Sequence, residues 1–184
     1  MTEVAVVDYG AGNTRSVRAA LTRLGLASRV TSEPAALEGA DLVVLPGVGS
    51  ARTAMDHLAV SGGDDALRRR YEAGAPILGI CLGLQLAVDA SDEDGGVTGL
   101  GLVSGTVHRL EAARVPRIGW ATVEPWGETY FFAHSYAVTS PDVVATSEGV
   151  TAAVSRGSFF GVQFHPEKSG TAGLAFLESC LTRA

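Results

Sequence analysis

Cysteine is scarce: Cys81 and Cys180 are the only two in 184 residues. A disulfide framework needs more, so a reducing compartment is expected. The opening MTEVAVVDYG has neither a basic start nor a long apolar stretch, so it does not read as a signal peptide. No run approaches the roughly 18 uninterrupted apolar residues of a spanning helix. By elimination the expectation is a cytoplasmic protein with no membrane role. Positive charge is also short, with 14 Lys and Arg against 20 Asp and Glu and a formal net charge of −6. Arg68-Arg69-Arg70 lies near acidic residues and reads as a solvated helix face, not as part of a basic stripe for nucleic acid. No Cys/His cluster has metal-ligand spacing, so neither a metal nor another cofactor is expected. His57 and His108 have no metal-spaced companions and read as surface or structural residues. Repeats and low-complexity linkers are missing too. The length, with 46% hydrophobic and 18% charged residues, suits one domain over 1–184.

What is present in the first half is alternation. Residues 4–7, 42–45 and 76–80 are apolar runs that end in Gly-containing turns at 8–13, 46–49 and 79–83. They read as buried strands. Between them, Val17, Leu21 and Leu24 keep helical spacing, with Asn13 as cap and Gly25 as stop. Residues 64–72 read as a helix stopped by Gly74, and 82–88 as another. Segments 61–65 and 91–96 read as surface loops. Apolar strands alternating with helices imply a parallel sheet covered on both faces, with ligands at the strands' C-terminal ends. The second half carries closely spaced β-rich runs at 102–110, 129–133, 136–139, 143–146, 151–155 and 158–164. Much of it is therefore expected to be antiparallel. A closing helix over 171–181 should turn Leu174, Leu177 and Leu181 inward, with Cys180 packed in the core.

Three features carry chemistry. Gly79-Ile80-Cys81-Leu82-Gly83 has the pattern of a nucleophile elbow: a reactive residue in a strained strand-to-helix turn, with small neighbours that let backbone come close. The helix start favours a thiolate, and the Leu82 N–H points where an oxyanion would form. Taken alone, this leaves an ordinary core cysteine equally open. Phe164-His165-Pro166-Glu167 supplies a base and an orienting carboxylate two residues apart, on one side if an extended conformation persists. Pro46-Gly47-Val48-Gly49 is a Gly-rich turn at the same sheet edge, able to present amides to an oxyanion or simply to satisfy a tight turn.

GICLG and FHPEK together resemble the class I glutamine amidotransferases, over nearly the whole chain. DYGAGNTRSV at 8–17, LPGVGS at 45–50, GICLGLQ at 79–85, VPRIGW at 115–120, HSY at 134–136 and GVQFHPEKSG at 161–170 are similar to the glutaminase subunits of imidazole glycerol phosphate synthases. The glutaminases of pyridoxal phosphate synthases are a rival branch with different elbow and loop sequences. The resemblance implies a three-layer α/β fold, with a central, largely parallel sheet flanked by helices and an additional antiparallel portion in the second half. It implies hydrolysis of L-glutamine to glutamate and ammonia, and delivery of the ammonia to a (β/α)8-barrel cyclase partner that forms imidazole glycerol phosphate and AICAR in histidine biosynthesis. Cys81, His165 and Glu167 match the catalytic triad. The Val48 and Leu82 amides match the oxyanion hole. Gly49, Gln85, Glu93, His134, Ser135 and Tyr136 match glutamine-binding positions, and Asn13, Trp120 and Lys168 partner-facing ones. In relatives the PGVG loop is poorly arranged until the partner and its ligand bind. Two departures fall on the partner side: Ala121 follows Trp120 where Asn is usual, and Arg117 stands where His is frequent. The alternatives are a degenerate scaffold subunit, disfavoured by the filled triad positions, and a different cysteine hydrolase on a similar fold, disfavoured by FHPEK and PGVG.

Overall fold

Apolar runs too short for helices pair here into buried strands. The computed structural model describes residues 2–10, 13–112 and 114–181. In chain order the first half forms β1 (Glu3–Val7), α1 (Thr14–Arg23), β2 (Ala27–Thr31), α2 (Pro34–Gly39) and β3 (Leu42–Leu45). It continues with α3 (Ala51–Ser61), α4 (Gly63–Glu72), β4 (Ile77–Ile80) and α5 (Leu82–Ala87). Then come β5 (Ala90–Ser91), a 3-10 turn Glu93–Gly95, β6 (Val97–Thr98), β7 (Thr106–Arg109), β8 (Arg117–Thr122) and β9 (Thr129–His134). The chain closes with β10 (Tyr136–Thr139), β11 (Val143–Ser147), β12 (Val150–Arg156), β13 (Phe159–Val162), a second 3-10 turn Pro166–Lys168 and α6 (Gly170–Leu181).

Seven strands make the main sheet, in the order β11-β12-β13-β4-β3-β1-β2. From β2 to β13 every neighbour is parallel; β12 and β11 continue the sheet antiparallel. Side chains alternate across it. Ala5, Val7, Val43, Leu45 and Ile77 face one apolar layer with α2, α3, α4 and α5. Val4, Val6, Leu42, Val44, Leu78 and Ile80 face the other, with α1, α6 and an aromatic cluster. In that cluster the Tyr130 and Phe164 rings stack at 4.0 Å. The three-layer α/β architecture agrees with the expectation. A small sheet, β10-β7-β5-β6, and the β8–β9 hairpin stand apart from the main one. None of the described helices is long and apolar enough to cross a membrane.

Several local expectations are corrected. The run 158–164 is antiparallel on one side only: its strand β13 pairs antiparallel with β12 but parallel with β4, Val162 opposite Ile80. Its all-apolar character is that of a central strand buried on both faces. Residues 61–65 are not a loop. Ser61 ends α3 and Gly63 begins α4, with Gly62 at φ 72 making the corner. Arg70 does not belong to a solvated face: it is 2% exposed. Its guanidinium donates to the carbonyls of Leu37, Glu38, Ala40, Asp41 and Pro76, tying α4 to the loop between α2 and β3. Arg68 and Arg69 do sit in carboxylate-paired surface positions. On α6 the buried positions are Gly173, Phe176 and Leu177, while Leu174, Cys180 and Leu181 are only partly covered. Gly173 is there because a Cβ would lie 1.9 Å from the Pro166 carbonyl oxygen. Asn13 occupies the cap position of α1 without a side-chain cap bond. Ala11, Gly12 and Ala113, which fall within the motif 8–17 and the stretch 111–117, lie outside the described residues.

Candidate active site

Cys81 joins β4 to α5 with φ 52 and ψ −103, a backbone conformation that costs a side-chain-bearing residue on the order of 1–3 kcal/mol. Its N–H is fixed by the Val162 carbonyl at 2.7 Å, and its own carbonyl accepts from Leu84 and Gln85, so α5 hangs from this turn. The flanking glycines are required by contact. A Cβ on Gly83 would come 1.9 Å from the Leu45 carbonyl oxygen, and one on Gly79 within 2.9 Å of Gly83 backbone. Gly47 presses the turn after β3 onto the same place, since a Cβ there would lie 2.5 Å from the Leu82 nitrogen.

Parallel pairing of β13 with β4 brings their C-terminal ends side by side, and His165 follows β13 by three residues. Its Nδ1–H donates to Glu167 Oε1 at 2.8 Å, with both side chains fully buried. The pairing does not come from a persisting extended strand, as the spacing suggested. Pro166 starts a 3-10 turn that folds Glu167 back beneath the ring. Ser169 locks that turn by donating to the His165 carbonyl at 2.6 Å and accepting from the Phe131 N–H at 2.9 Å. Burial pulls the imidazole's pKa down, but Cys81 and Glu167 together outweigh it and push it up to about 9. The imidazolium form of His165 is thereby favoured. His165 Nε2 has no hydrogen-bond partner among the described residues.

Cys81, only 6% exposed, borders a cavity of about 350 Å³. Val48, Gly49, Leu82, Gln85, Glu93, His134, Ser135 and Tyr136 also line it, so every oxyanion and glutamine-binding candidate meets there. Gln85 Nε2 donates to the Tyr136 carbonyl at 2.9 Å. His134 Nδ1–H donates to the same carbonyl at 2.9 Å. Burial, reinforced by Arg117 and His165, pulls His134 down to about 4 against that hydrogen bond, so its ring is neutral at pH 7. Glu93 accepts from the Ala51 N–H at the start of α3, and burial raises its carboxyl above the usual range. The neighbouring Asp94 bonds Ser50, and Arg52 donates to the Asp94 and Gly96 carbonyls. The 93–96 turn is thereby clasped to the segment that follows the PGVG loop.

The partner-facing candidates divide. Trp120 is 58% exposed on β8, and Ile118, two residues earlier on the same face, is 66% exposed and reaches the cavity rim. Lys168 is exposed at the end of the second 3-10 turn. Asn13 instead spends its side-chain amide on Glu167.

Two residues near the sulfur were not singled out from the sequence. Gln163, fully buried, donates from Nε2 to Cys81 Sγ at 3.4 Å and accepts from Gln85. A lone amide between the apolar strand β13 and Phe164 was the available signal. Tyr9 is 1% exposed, and burial followed by the Cys81 charge drives its phenol strongly upward, so it stays protonated. A larger groove of about 1040 Å³ opens at the opposite, N-terminal end of the strands, bordered by Leu42, Ile77, Trp126, Phe160 and Phe176. It contains none of the candidate residues.

Residues 5–184 match the family model of class I glutamine amidotransferases. The chain is 45% identical to imidazole glycerol phosphate synthase subunit HisH of Symbiobacterium thermophilum, over 96% of this chain and 92% of that protein. It is 42% identical to the same subunit of Thermus thermophilus, over 94% and 92%. It is 40% identical to the chloroplastic imidazole glycerol phosphate synthase hisHF of Arabidopsis thaliana, over 97% of this chain but 34% of that protein. Among solved structures, a glutamine amidotransferase crystal structure superposes with TM-score 0.79 at 23% identity, covering 98% of this chain and 99% of that one. PurLQS from Thermotoga maritima superposes with TM-score 0.74 at 22% identity, covering 99% and 98%. At those identities the two share the fold. The chain belongs to the class I glutamine amidotransferases and, among them, to the family of imidazole glycerol phosphate synthase subunit HisH.

Proposed function

We propose that this chain, as a single amidotransferase domain over residues 1–184, hydrolyses L-glutamine through a glutamyl thioester and passes the ammonia to a (β/α)8-barrel cyclase subunit that forms imidazole glycerol phosphate and AICAR. The observation that carries this is the convergence on one cavity of a cysteine in a strained elbow and, behind it, a buried His–Glu pair.

The Cys81 thiolate attacks the side-chain amide carbon of glutamine, and a C–S bond forms as the carbonyl becomes an oxyanion. The Val48 and Leu82 amides stabilise that charge. The C–N bond then breaks, and the His165 imidazolium gives its proton to the departing nitrogen. Water adds to the thioester with His165 taking its proton, and glutamate leaves as the thiolate returns. Glu167 holds the ring in the tautomer this needs. Gly49, Gln85, Glu93, His134, Ser135 and Tyr136 hold the glutamine. His134, neutral and with Nε2 unpartnered among the described residues, offers an acceptor there.

Ile118 and Trp120 form an exposed apolar pair beside the cavity mouth, which suits a docking surface. Lys168 follows Glu167 in the chain and Asn13 bonds the Glu167 side chain, so both flank the triad. The hisHF relative is about three times as long as this chain, consistent with a second catalytic part carried in one polypeptide there.

The test is reconstitution with the cyclase subunit from the same source. Cys81→Ala should abolish glutamine-dependent turnover while leaving ammonium-dependent turnover intact. Undiminished glutamine use by that variant would sink the reading.

A further inference from the structure

Asn13 stands where a helix cap would, yet its side chain does not cap. Its backbone is left-handed, φ 81 and ψ 1, and its carbonyl accepts from the Ser16 and Val17 N–H groups at 3.1 and 3.2 Å. The backbone alone therefore starts α1, and the side-chain amide is free for other use. That amide donates from Nδ2 to Glu167 Oε1, a contact between residues 154 positions apart.

The acceptor is informative. Oε1 is the same oxygen that receives the His165 Nδ1–H at 2.8 Å. Oε2 is buried and has no hydrogen-bond partner among the described residues. The last torsion of a glutamate is broad and nearly two-fold, so one donor does not by itself fix which oxygen faces the ring. A second donor on the same oxygen does. It is also neutral, so it satisfies the buried carboxylate without drawing its charge away from the imidazolium. The first turn of α1 carries no acidic residue of its own, and the 3-10 turn bearing Glu167 packs against that helix. Glu167 thus lies near the positive end of α1, reached through Asn13.

We propose that Asn13 is a positioning residue of the triad, fixing Glu167 Oε1 against His165. This rests on the triad reading above and adds a fourth member to it.

The backbone supplies a clean experiment. At φ 81, Gly and Asp are both tolerated, so neither Asn13→Gly nor Asn13→Asp disturbs the turn. The first removes the donor; the second keeps the shape and replaces the donor with a second carboxylate. Both are assayed in the reconstituted complex at saturating partner. Asn13→Gly should lower kcat for glutamine hydrolysis by roughly 10-fold, the size of one lost hydrogen bond to a charged group, and Asn13→Asp by roughly 100-fold. KM should stay within about threefold, because the amide does not touch substrate. Turnover with ammonium should match the parent. In proton NMR, the downfield His165 Nδ1–H resonance should shift in Asn13→Gly and be lost in Glu167→Gln.

Parent-like kcat in both Asn13 variants, with Glu167→Gln inactive, would overturn the proposal and leave the triad standing. Parent-like activity in Glu167→Gln would remove the triad reading and this proposal with it. Loss of glutamine use that is recovered on raising the cyclase concentration, with a weakened Kd for the cyclase by titration calorimetry, would make Asn13 an assembly residue instead.

Discussion

At the scale of single residues, the decisive quantity is the His165 pKa. Burial opposes its charge, and Cys81 with Glu167 overrides burial to give about 9. The proton that leaving ammonia needs is then present across neutral pH and lost above it. Glutamine hydrolysis should show an alkaline limb near pH 9. Glu167→Gln removes one of the two groups that hold the proton, so that limb should move to lower pH while kcat falls by roughly 10³-fold. A pH profile of kcat for parent and variant checks both. The linkage sign follows: a pKa raised from 6.5 to about 9 stabilises the fold fully below about 6.5, and that contribution fades as pH rises through 9. The sequence made Cys81, His165 and Glu167 visible as residue types in the right motifs. It did not show that Pro166 makes a 3-10 turn, because Pro is compatible with both that turn and an extended chain.

At the scale of elements, one strand direction decides the site. Closely spaced β-runs after residue 100 suggest hairpins, and β11, β12 and β13 do form antiparallel neighbours. β13, however, also enters the parallel sheet beside β4. Had it paired there antiparallel, His165 would emerge at the far edge from Cys81. The short connection to β12 conceals this, since a hairpin fixes one neighbour of a strand and says nothing of the other. Arg70 gives a similar lesson. Within Arg68-Arg69-Arg70 the three residues look alike, but helical rotation points the third into five backbone carbonyls. Arg70→Ala leaves those acceptors buried and unmatched, so it should cost about 3–5 kcal/mol, while Arg69→Ala, on the exposed side, should leave stability close to the parent's. Urea unfolding midpoints separate the two. The elbow was legible for a simpler reason. Gly79 and Gly83 are excluded from being anything larger by contacts inside one short segment and the strand beside it.

At the scale of the whole molecule, the fold leaves one edge furnished and unfinished. The cavity, the exposed Ile118 and Trp120, and the segment 50–52 clasped to the 93–96 turn all lie toward the C-terminal ends of the parallel strands. An apolar pair that far exposed stabilises a monomer little. Trp120→Ala should weaken binding of the proposed cyclase subunit by about 2 kcal/mol, roughly 30-fold in Kd, with the unfolding midpoint of the free chain unchanged. Titration calorimetry on parent and variant measures this.

The sequence by itself determined the strand–helix alternation of the first half, the elbow around Cys81, the PGVG loop that lines its cavity, and the motif that carries His165 beside it. These are encoded within stretches of a dozen residues or fewer, where period, glycine placement and proline suffice. Tertiary structure alone decided that β13 runs parallel to β4, that Arg70 turns inward, that Gln163 reaches the sulfur, and that Asn13 bonds Glu167 rather than capping α1. Each of those depends on a partner tens of residues away or more, and local propensity carries no information about which distant group a side chain will meet.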